Sequence, residues 1–206
     1  MAVPPWQREW LPLIYYNDQL VAVPGVFVDK AFLSEWTKRV TQEYPNINIV
    51  GEEWTTNPAI VSYWQKGKVN HDGYTSCLPS VMDFPLQNAL KEGLTQEEKR
   101  YGSGLIETYK AVTMDFLYAN PYDLVIFPDN HDMDRFFTQV EGDYSLFKMG
   151  MIFFATMRGV PQFYYGTEYL MADKTGDHGE IRSDFPGGWE GDNFKANDDQ
   201  EDFRMY

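Results

Sequence analysis

The sequence is poor in the side chains that form disulfides and bind transition metals. Its 206 residues include one cysteine, Cys77, and three histidines, His71, His131 and His178. A single thiol excludes an internal disulfide. No histidine stands at the HExxH spacing of zinc hydrolases, and no GxSxG serine motif is present. The sequence therefore disfavours zinc-dependent and serine-type hydrolysis, and we assign no metal ligand among these residues.

Positive charge is also scarce. The chain has 17 Lys and Arg against 31 Asp and Glu, which gives a net charge of -14. Nucleic acids, phosphate-rich ligands and anionic membranes all require clustered basic side chains. These partners are therefore disfavoured, whereas neutral ligands and cations remain open.

Long hydrophobic runs are absent as well. No window approaches the roughly 18 apolar residues of a transmembrane helix. The longest run, near "MGMIFFATM" from Met149, predicts a buried helix instead. The N-terminal "MAVPPWQREWLPL" does not resemble a signal peptide, because prolines, an arginine and a glutamate interrupt any apolar segment. The sequence leaves the cellular compartment open.

Aromatic residues, in contrast, are abundant. They make up 17% of a chain that is 43% hydrophobic, which is typical of a globular domain with a real core. Most aromatic rings are expected in that core. The alternative is a sugar-binding surface, because the apolar faces of sugar rings lie flat on aromatic rings while carboxylates and amides bind the hydroxyls.

Three amphipathic or apolar helices are predicted. The first begins at Ala31 and ends at Pro45, with apolar positions at Phe32, Leu33, Trp36 and Val40. The second lies in "GSGLIETYKAVTMDFLYANP" and ends before Pro121, with an apolar side at Leu105, Ile106, Tyr109, Val112 and Phe116. The third is "YSLFKMGMIFFATMRG", closed by Gly159. From Gly187 onward the chain is expected to be mostly loop.

Four short strands alternate with these helices. They are predicted in "NINIVGEEW", in "CLPSVMDFPL", at 124–127 and in "VPQFYYGTEYLM". Such alternation predicts an α/β fold with a parallel sheet. A β-hairpin turning at Asn17 and Asp18 is also predicted, where it would cover an open sheet edge.

Each predicted strand is followed by polar residues. These are Glu52 and Glu53, then Asp83, then Asn130, His131 and Asp132, and finally Gly166, Thr167 and Glu168. Because parallel strands direct their C-terminal loops to one edge, we expect a shared, carboxylate-lined site.

Paired carboxylates in such a site suit glycoside hydrolysis. One carboxyl group protonates the leaving oxygen, and a second attacks the anomeric carbon or activates water. Glu52 or Glu53 is a candidate acid, and Asp132 is expected across the site, with His131 binding sugar hydroxyls. A calcium site is an open alternative around "DKTGD" from Asp173, although a polar turn is preferred there.

Several motifs resemble those of the α-amylase family of glycoside hydrolases. "GEEW" at Gly51, "SVMDFPL" at Ser80, "FPDNHD" at Phe127 and "GVPQFYYGTE" at Gly159 are similar, in order, to barrel strands five to eight. "GDHGEIRSDFPGGW" at Gly176 is similar to a loop of the neopullulanase and cyclomaltodextrinase-like branch. The resemblance covers roughly residues 29–189. It implies a parallel (β/α) half-barrel of a (β/α)8 TIM barrel, in a partial catalytic domain at 29–206 that follows an unrecognised segment at 1–28.

The resemblance also implies roles for individual residues. The reaction of the family is retaining cleavage of α-glucosidic bonds in starch-like or cyclic maltodextrins. Glu52 matches the general acid/base, Glu53 its variable neighbour, and Asp132 the aspartate that stabilises the distorted sugar ring. The implied substrate-binding residues are His131, Trp54, Asn130, Arg135 and Tyr165.

The sequence departs from the family at the nucleophile. The family motif G-x-R-x-D has its nearest counterpart in "GVFVD", which ends at Asp29, with Phe27 in place of the arginine. Asp29 is better interpreted as the N-cap of the first helix. Two alternatives to a hydrolase therefore stay open: a non-catalytic α-glucan-binding remnant and a structural fragment. Open barrel edges further predict self-association, pairing with a missing fragment, or marginal stability.

Overall fold

The computed structural model describes residues 14–23, 27–96, 101–187, 190–191 and 195–204. Residues 1–13 and Trp189, where the resemblance ends, lie outside this part. In chain order the elements are β1 (Ile14–Tyr16), β2 (Gln19–Val23), β3 (Phe27–Val28), α1 (Lys30–Glu43), β4 (Val50–Gly51), α2 (Pro58–Tyr63), β5 (Ser80–Val81), α3 (Phe84–Thr95), α4 (Ile106–Thr113), β6 (Val125–Ile126), α5 (Phe136–Gln139), α6 (Tyr144–Thr156), β7 (Val160–Pro161), α7 (His178–Ile181) and α8 (Asp198–Arg204). Short 3₁₀ turns occur at Met114–Leu117, Pro121–Asp123 and Thr167–Tyr169.

The parallel strands β4 to β7 lie side by side in sequence order. Val50 of β4 is opposite Ser80 of β5, and Val125 of β6 is opposite Val160 of β7. A parallel bridge between Met82 and Val125 joins the two pairs. The alternation of helices with parallel strands confirms the predicted α/β organisation. Within the described residues these strands form only short, two-stranded parallel sheets.

The observed strands are shorter than predicted. The strand expected at 124–127 spans two residues, and the last predicted strand keeps only Val160 and Pro161. After Gln162, whose N–H donates to Ile126 O, the backbone forms local bonds instead. The carbonyl of Tyr164 accepts from the N–H of Thr167, and Gly166 takes a positive φ of 84°. The aromatic content of this stretch favoured a strand, but a turn interrupts it.

The predicted hairpin is confirmed at the start of the described chain. β1 and β2 pair antiparallel, and Asn17 and Asp18 take φ values of 50° and 61°, as a two-residue hairpin turn requires. β3 then pairs antiparallel with β2. The three strands form a separate sheet. The hairpin therefore makes no strand pairing with the parallel strands, and the expected cover of their edge by hydrogen bonding is not formed.

Helix α3 was not predicted from the sequence. Asp83 caps it, accepting from the N–H of Leu86 at 3.0 Å, and Pro85 occupies its first turn. Leu86 and Leu90 then bury one face. The signal was present as an N-cap, an early proline and leucines four residues apart, but the apolar run before Asp83 favoured a strand.

The apolar side predicted for α4 is only partly right: Val112 packs against the main core, but most of the other predicted positions are exposed. Leu105, Tyr109 and Phe116 are exposed, whereas Thr108 is buried and donates to the carbonyl of Ala89 in α3. The helices approach closely because Gly93 has no side chain: a Cβ there would lie 3.1 Å from a carbonyl oxygen. The small residues therefore help to set which face of α4 packs.

The main core lies around α6, as its apolar sequence predicts. Phe147, Met151 and Phe154 pack with Ile126, Leu86 and Phe136 in one buried cluster, and each such side chain contributes about 1.5–3 kcal/mol. Helix α8 joins this core through Phe203, which packs edge-on against Phe147. The expectation of loop after Gly187 is therefore wrong at 198–204. None of the helices in the described ranges is both long and apolar enough to cross a bilayer.

Candidate active site

Glu52 and Asn130 bring the loops after β4 and β6 together. The side-chain amide of Asn130 donates to Glu52 Oε1 at 3.3 Å, although 78 residues separate them. Partial burial raises the pKa of Glu52; the nearby His131 opposes this, and the carboxylate of Asp132 adds to it. A carboxyl group with a raised pKa is suited to donate a proton near neutral pH.

Asn130 is fixed in a single orientation. Its side chain is 2% exposed, and its Oδ1 accepts from the backbone N–H of Asp132 at 2.9 Å. The amide nitrogen must therefore point towards Glu52, because the oxygen is already used. The next two side chains also meet: His131 Nε2 lies 3.3 Å from Asp132 Oδ2. Asn130, His131 and Asp132 thus form one connected polar group.

Arg182 is a residue of the site that sequence reasoning missed. It follows α7, and its Nε donates to the carbonyl of His131 at 2.9 Å. Its Nη2 forms an ion pair with Asp132 Oδ1. The only signal in the sequence was its place within the stretch "GDHGEIRSDFPGGW", whose resemblance did not single out this residue. Arg182 connects the loop at 170–187 to the Asp132 carboxylate.

Trp54 follows Glu52 by two residues and presents a partly exposed ring. Its side chain is 45% exposed and stacks on Phe84, with ring centroids 5.0 Å apart and an angle of 22°. Phe84 in turn packs edge-on against Phe127, which fixes the platform. Together with Lys91 of α3 and Asp134, Trp54 lines a cavity of about 260 Å³. The arrangement supplies a flat apolar face next to hydrogen-bonding groups.

Arg135 follows Asp132 in the chain by three residues and contacts Tyr165. Arg135 is fully buried, and its guanidinium carbon is 4.1 Å from the ring centre of Tyr164 and 4.9 Å from that of Tyr165. Tyr165 is partly exposed, and its hydroxyl donates to the carbonyl of Ser183 at 2.7 Å. The ring of Tyr165 is thus accessible to a ligand, whereas the side chain of Arg135 is shielded from solvent by its neighbours.

The site was expected to collect carboxylates from four strand ends, but fewer strand ends contribute to it in the structure. Asp83 is 1% exposed and pairs with Arg158 at 2.7 Å, so it lies inside the protein. Burial raises the pKa of Asp83, and Arg158 opposes the rise. Glu168 is exposed on a 3₁₀ turn. Glu53 lines a cavity of about 310 Å³ with Glu52, beside β4. Two of the four strand ends, β4 and β6, therefore supply the connected group.

Asp29 is the N-cap of α1, as expected. Its Oδ1 accepts from the N–H of Phe32 at 2.9 Å, and its backbone N–H donates to Val21 O in β2. The strand before it, β3, is antiparallel to β2 and does not pair with β4. This carboxylate thus has a helix-capping role, and it lines a cavity with Phe32 and Trp36 that does not include Glu52.

The stretch at Asp173 contains a turn at Thr175 and Gly176. Within the described residues, no three acidic, histidine or cysteine side chains cluster in a way that could hold a metal ion. Asp173 Oδ1 accepts from the N–H of Arg135 at 2.7 Å. Gly176 donates its N–H to Asp134 at 2.8 Å. These bonds tie the turn to the residues before α5.

A family model and several curated relatives place the chain in one family. The family model described as "Alpha amylase, catalytic domain" matches residues 15–203. The chain is 37% identical over 94 residues to cyclomaltodextrin glucanotransferase from Bacillus sp. (strain 38-2), covering 45% of the chain and 12% of that protein. It is 26% identical over 147 residues to cyclomaltodextrinase from Thermoanaerobacter pseudethanolicus, covering 70% and 23%.

A similar solved structure supports the match. The α-amylase of Geobacillus thermoleovorans, complexed with acarbose, superposes with a TM-score of 0.65 at 27% identity, covering 86% of this chain and 36% of that one. The chain therefore spans well under half the length of these relatives. A stretch of 31 residues is also 61% identical to part of tRNA(Ile)-lysidine synthase from Serratia proteamaculans, but it covers 7% of that protein and carries no functional argument.

Proposed function

Because the chain belongs to the α-amylase family of glycoside hydrolases, we propose that it carries the acid/base part of a site for retaining cleavage of α-glucosidic bonds. In this proposal β4 to β7 correspond to strands five to eight of the family barrel. Glu52 is the general acid/base, and Asp132 stabilises the charge that develops on the sugar ring. The substrate is an α-glucan, either starch-like or a cyclic maltodextrin.

The observation that carries the proposal is the contact between Asn130 and Glu52. The amide N–H occupies Glu52 Oε1, so a proton on this carboxyl group belongs on Oε2, from which it could be given to a glycosidic oxygen. The raised pKa favours the protonated form. The step also requires a carboxylate nucleophile, which takes the sugar as the leaving oxygen is protonated; the ionised Glu52 then removes a proton from the water or sugar hydroxyl that displaces that carboxylate.

The other residues bind and orient the sugar. His131 and Asp132 offer a paired donor and acceptor for hydroxyl groups, and Arg182 holds the Asp132 carboxylate from one side. The rings of Trp54 and Tyr165 supply apolar faces for neighbouring glucosyl units. Asn130 orients Glu52. We assign Arg135 a supporting role, because its guanidinium lies beneath Tyr164 and Tyr165.

The test compares adjacent glutamates. The chain is incubated with maltooligosaccharides and with a cyclomaltodextrin, and new reducing ends are measured for the wild type, Glu52→Gln and Glu53→Gln. Where the wild type releases reducing ends, we expect the Glu53 variant to release them too and the Glu52 variant to release none. Release that persists in Glu52→Gln would overturn the proposal.

The helix-capping role of Asp29 favours a second candidate function, in which the protein binds α-glucans without cleaving them. A retaining reaction requires a carboxylate nucleophile, and the nearest counterpart in the sequence caps α1. Binding of maltotriose by calorimetry with no release of reducing ends would support this candidate. Absence of both binding and release would leave a structural fragment.

A further inference from the structure

The segment 129–136, which leads from β6 to α5 and carries Asn130, His131 and Asp132, is closed by its own ends. Asp129 is 1% exposed, and its Oδ2 accepts from the N–H of Phe136 at 2.7 Å. Because these residues are seven positions apart, the bond folds the segment back on itself. The group proposed to bind sugar is therefore held between two buried anchor points.

Arg135 provides the second anchor of this segment. Its Nη1 donates to the carbonyl of Tyr165, and its guanidinium lies against the rings of Tyr164 and Tyr165. Its backbone N–H donates to Asp173 Oδ1. One buried arginine thus joins the segment to the loop after β7 and to the turn at Asp173.

The buried Asp129 and Arg135 form a group of alternating charge with the half-buried Asp173. Burial raises the pKa of Asp129 to about 6, while Arg135 opposes that rise and Asp173 adds to it. Four buried atoms of these three residues have no hydrogen-bond partner within the described protein: Asp129 Oδ1, Arg135 Nε and Nη2, and Asp173 Oδ2. Such atoms are usually satisfied by ordered water, so a hydrated network is expected here.

We propose that Asp129 and Arg135 are positioning residues that hold segment 129–136 so that Asn130 faces Glu52 and Asp132 faces the ligand. Both side chains are buried and act through the backbone of the segment and through Tyr165. The proposal rests on the proposed function for the meaning of the site, but the positioning itself is measurable without catalysis. A displacement of about 1 Å can cost on the order of 100-fold in rate, so small movements of the segment matter.

The competing explanation is that these residues only stabilise the fold. The chain offers a matched control, because Arg158 is another mostly buried arginine that pairs with two carboxylates, Asp83 and Asp115. Its loss should destabilise the protein in a comparable way while acting on β5, the residues before β7 and a 3₁₀ turn. A structural role alone therefore predicts the same behaviour for Arg135→Met and Arg158→Met.

The imidazole of His131 is the reporter. With only three histidines in the chain, ring signals are resolved in ¹H–¹⁵N NMR spectra and assigned with His131→Gln. We expect Asp129→Asn and Arg135→Met to shift the His131 signals and to weaken maltotriose binding about tenfold, by about 1.4 kcal/mol. Arg158→Met should lower stability but leave the His131 signals in place and the affinity within about twofold.

Two results would overturn the proposal. One is a His131 shift in Arg158→Met as large as that in Arg135→Met, and the other is unchanged His131 signals in Asp129→Asn. If Arg135→Met does not fold, Arg135→Lys takes its place, since it keeps the charge but loses the planar donor geometry. If the wild type does not bind maltotriose, the proposed function fails while the His131 signals still decide the positioning role.

Discussion

The side-chain amide of Asn130 meets Glu52 Oε1 at 3.3 Å and thereby joins the loops after β4 and β6. The bond places the proposed proton donor beside His131 and Asp132. The electrostatic neighbours of Glu52 are thus known, and their effects have opposite signs. The predictions below begin with this relationship.

The pKa of Glu52 should respond in opposite directions to its two neighbours. Burial contributes most and stays in place, so Asp132→Asn should lower the pKa by removing a like charge. His131→Gln should raise it by removing the imidazole that opposes the rise. The measurement is NMR titration of ¹³C-carboxyl-labelled glutamate, with Glu52→Gln for assignment. Shifts in the same direction would contradict the geometry.

The raised pKa of Glu52 also has a consequence for stability. The folded state holds this proton more tightly than the unfolded chain, so the contribution of Glu52 is fully present below its ordinary pKa and is lost as pH rises through the folded pKa. Glu52→Gln should therefore remove part of the loss of stability over that interval. Parallel pH profiles of the wild type and the variant would argue against it.

Arg158 should be important for stability. Its Nη1 lies 2.7 Å from Asp83 and its Nε 2.8 Å from Asp115, so Arg158→Ala leaves buried carboxylates without a counter-charge. The expected loss is about 3–5 kcal/mol in the free energy of unfolding, measured in urea. Lys110→Ala, which breaks an exposed pair with Glu107, is the control and should cost at most about 0.5 kcal/mol. Equal losses would contradict the prediction.

Trp54 should contribute to sugar binding more than to folding. Its exposed ring is supported by Phe84, and Trp54→Ala removes the apolar face without opening the core. Calorimetry with maltotriose should show a loss of about 1–2 kcal/mol, or roughly tenfold in affinity. Phe116→Ala, on another exposed aromatic residue, should leave binding unchanged. A similar effect of both variants would indicate a non-specific cause.

The outer edge of β4 should promote self-association. Among the described strands β4 pairs with β5 alone, and Val50 on this edge is exposed. Sedimentation should show concentration-dependent association that Val50→Lys reduces, because a charged edge resists strand pairing. Val69→Lys, at an exposed loop position, should have no such effect. A wild type that stays monomeric at all concentrations would refute this prediction.

Sequence reasoning reached the parts that depend on the order of elements. Polar residues after apolar strands predicted that Glu52 and Asp132 lie near each other, because parallel strands send their C-terminal ends to one edge. The cap at Asp29 was predicted from local chemistry alone. Both depend on short-range patterns that the sequence carries directly.

The misses arose where packing overrides local pattern. The apolar positions of α4 predicted its packed face only in part, because the glycine at 93 lets Thr108 approach α3 and leaves Tyr109 outside. Arg182 was missed because its partners are about 50 positions away in sequence. Asp83 was predicted to be a site carboxylate, but it is buried and forms an ion pair with Arg158, which is distant in the chain. Long-range pairing of this kind has no signature in a single sequence.

The bridge between Met82 and Val125 holds the two halves of the proposed site together. Glu52 is attached to the pair β4–β5 and Asp132 to the pair β6–β7, and Asp83 N–H donates to Val125 O at 2.8 Å across the junction. A transient separation at this seam would move the acid away from the sugar-binding group while both pairs stayed intact. The exchange rate of the Asp83 amide hydrogen therefore reports how often the two halves of the site lose alignment.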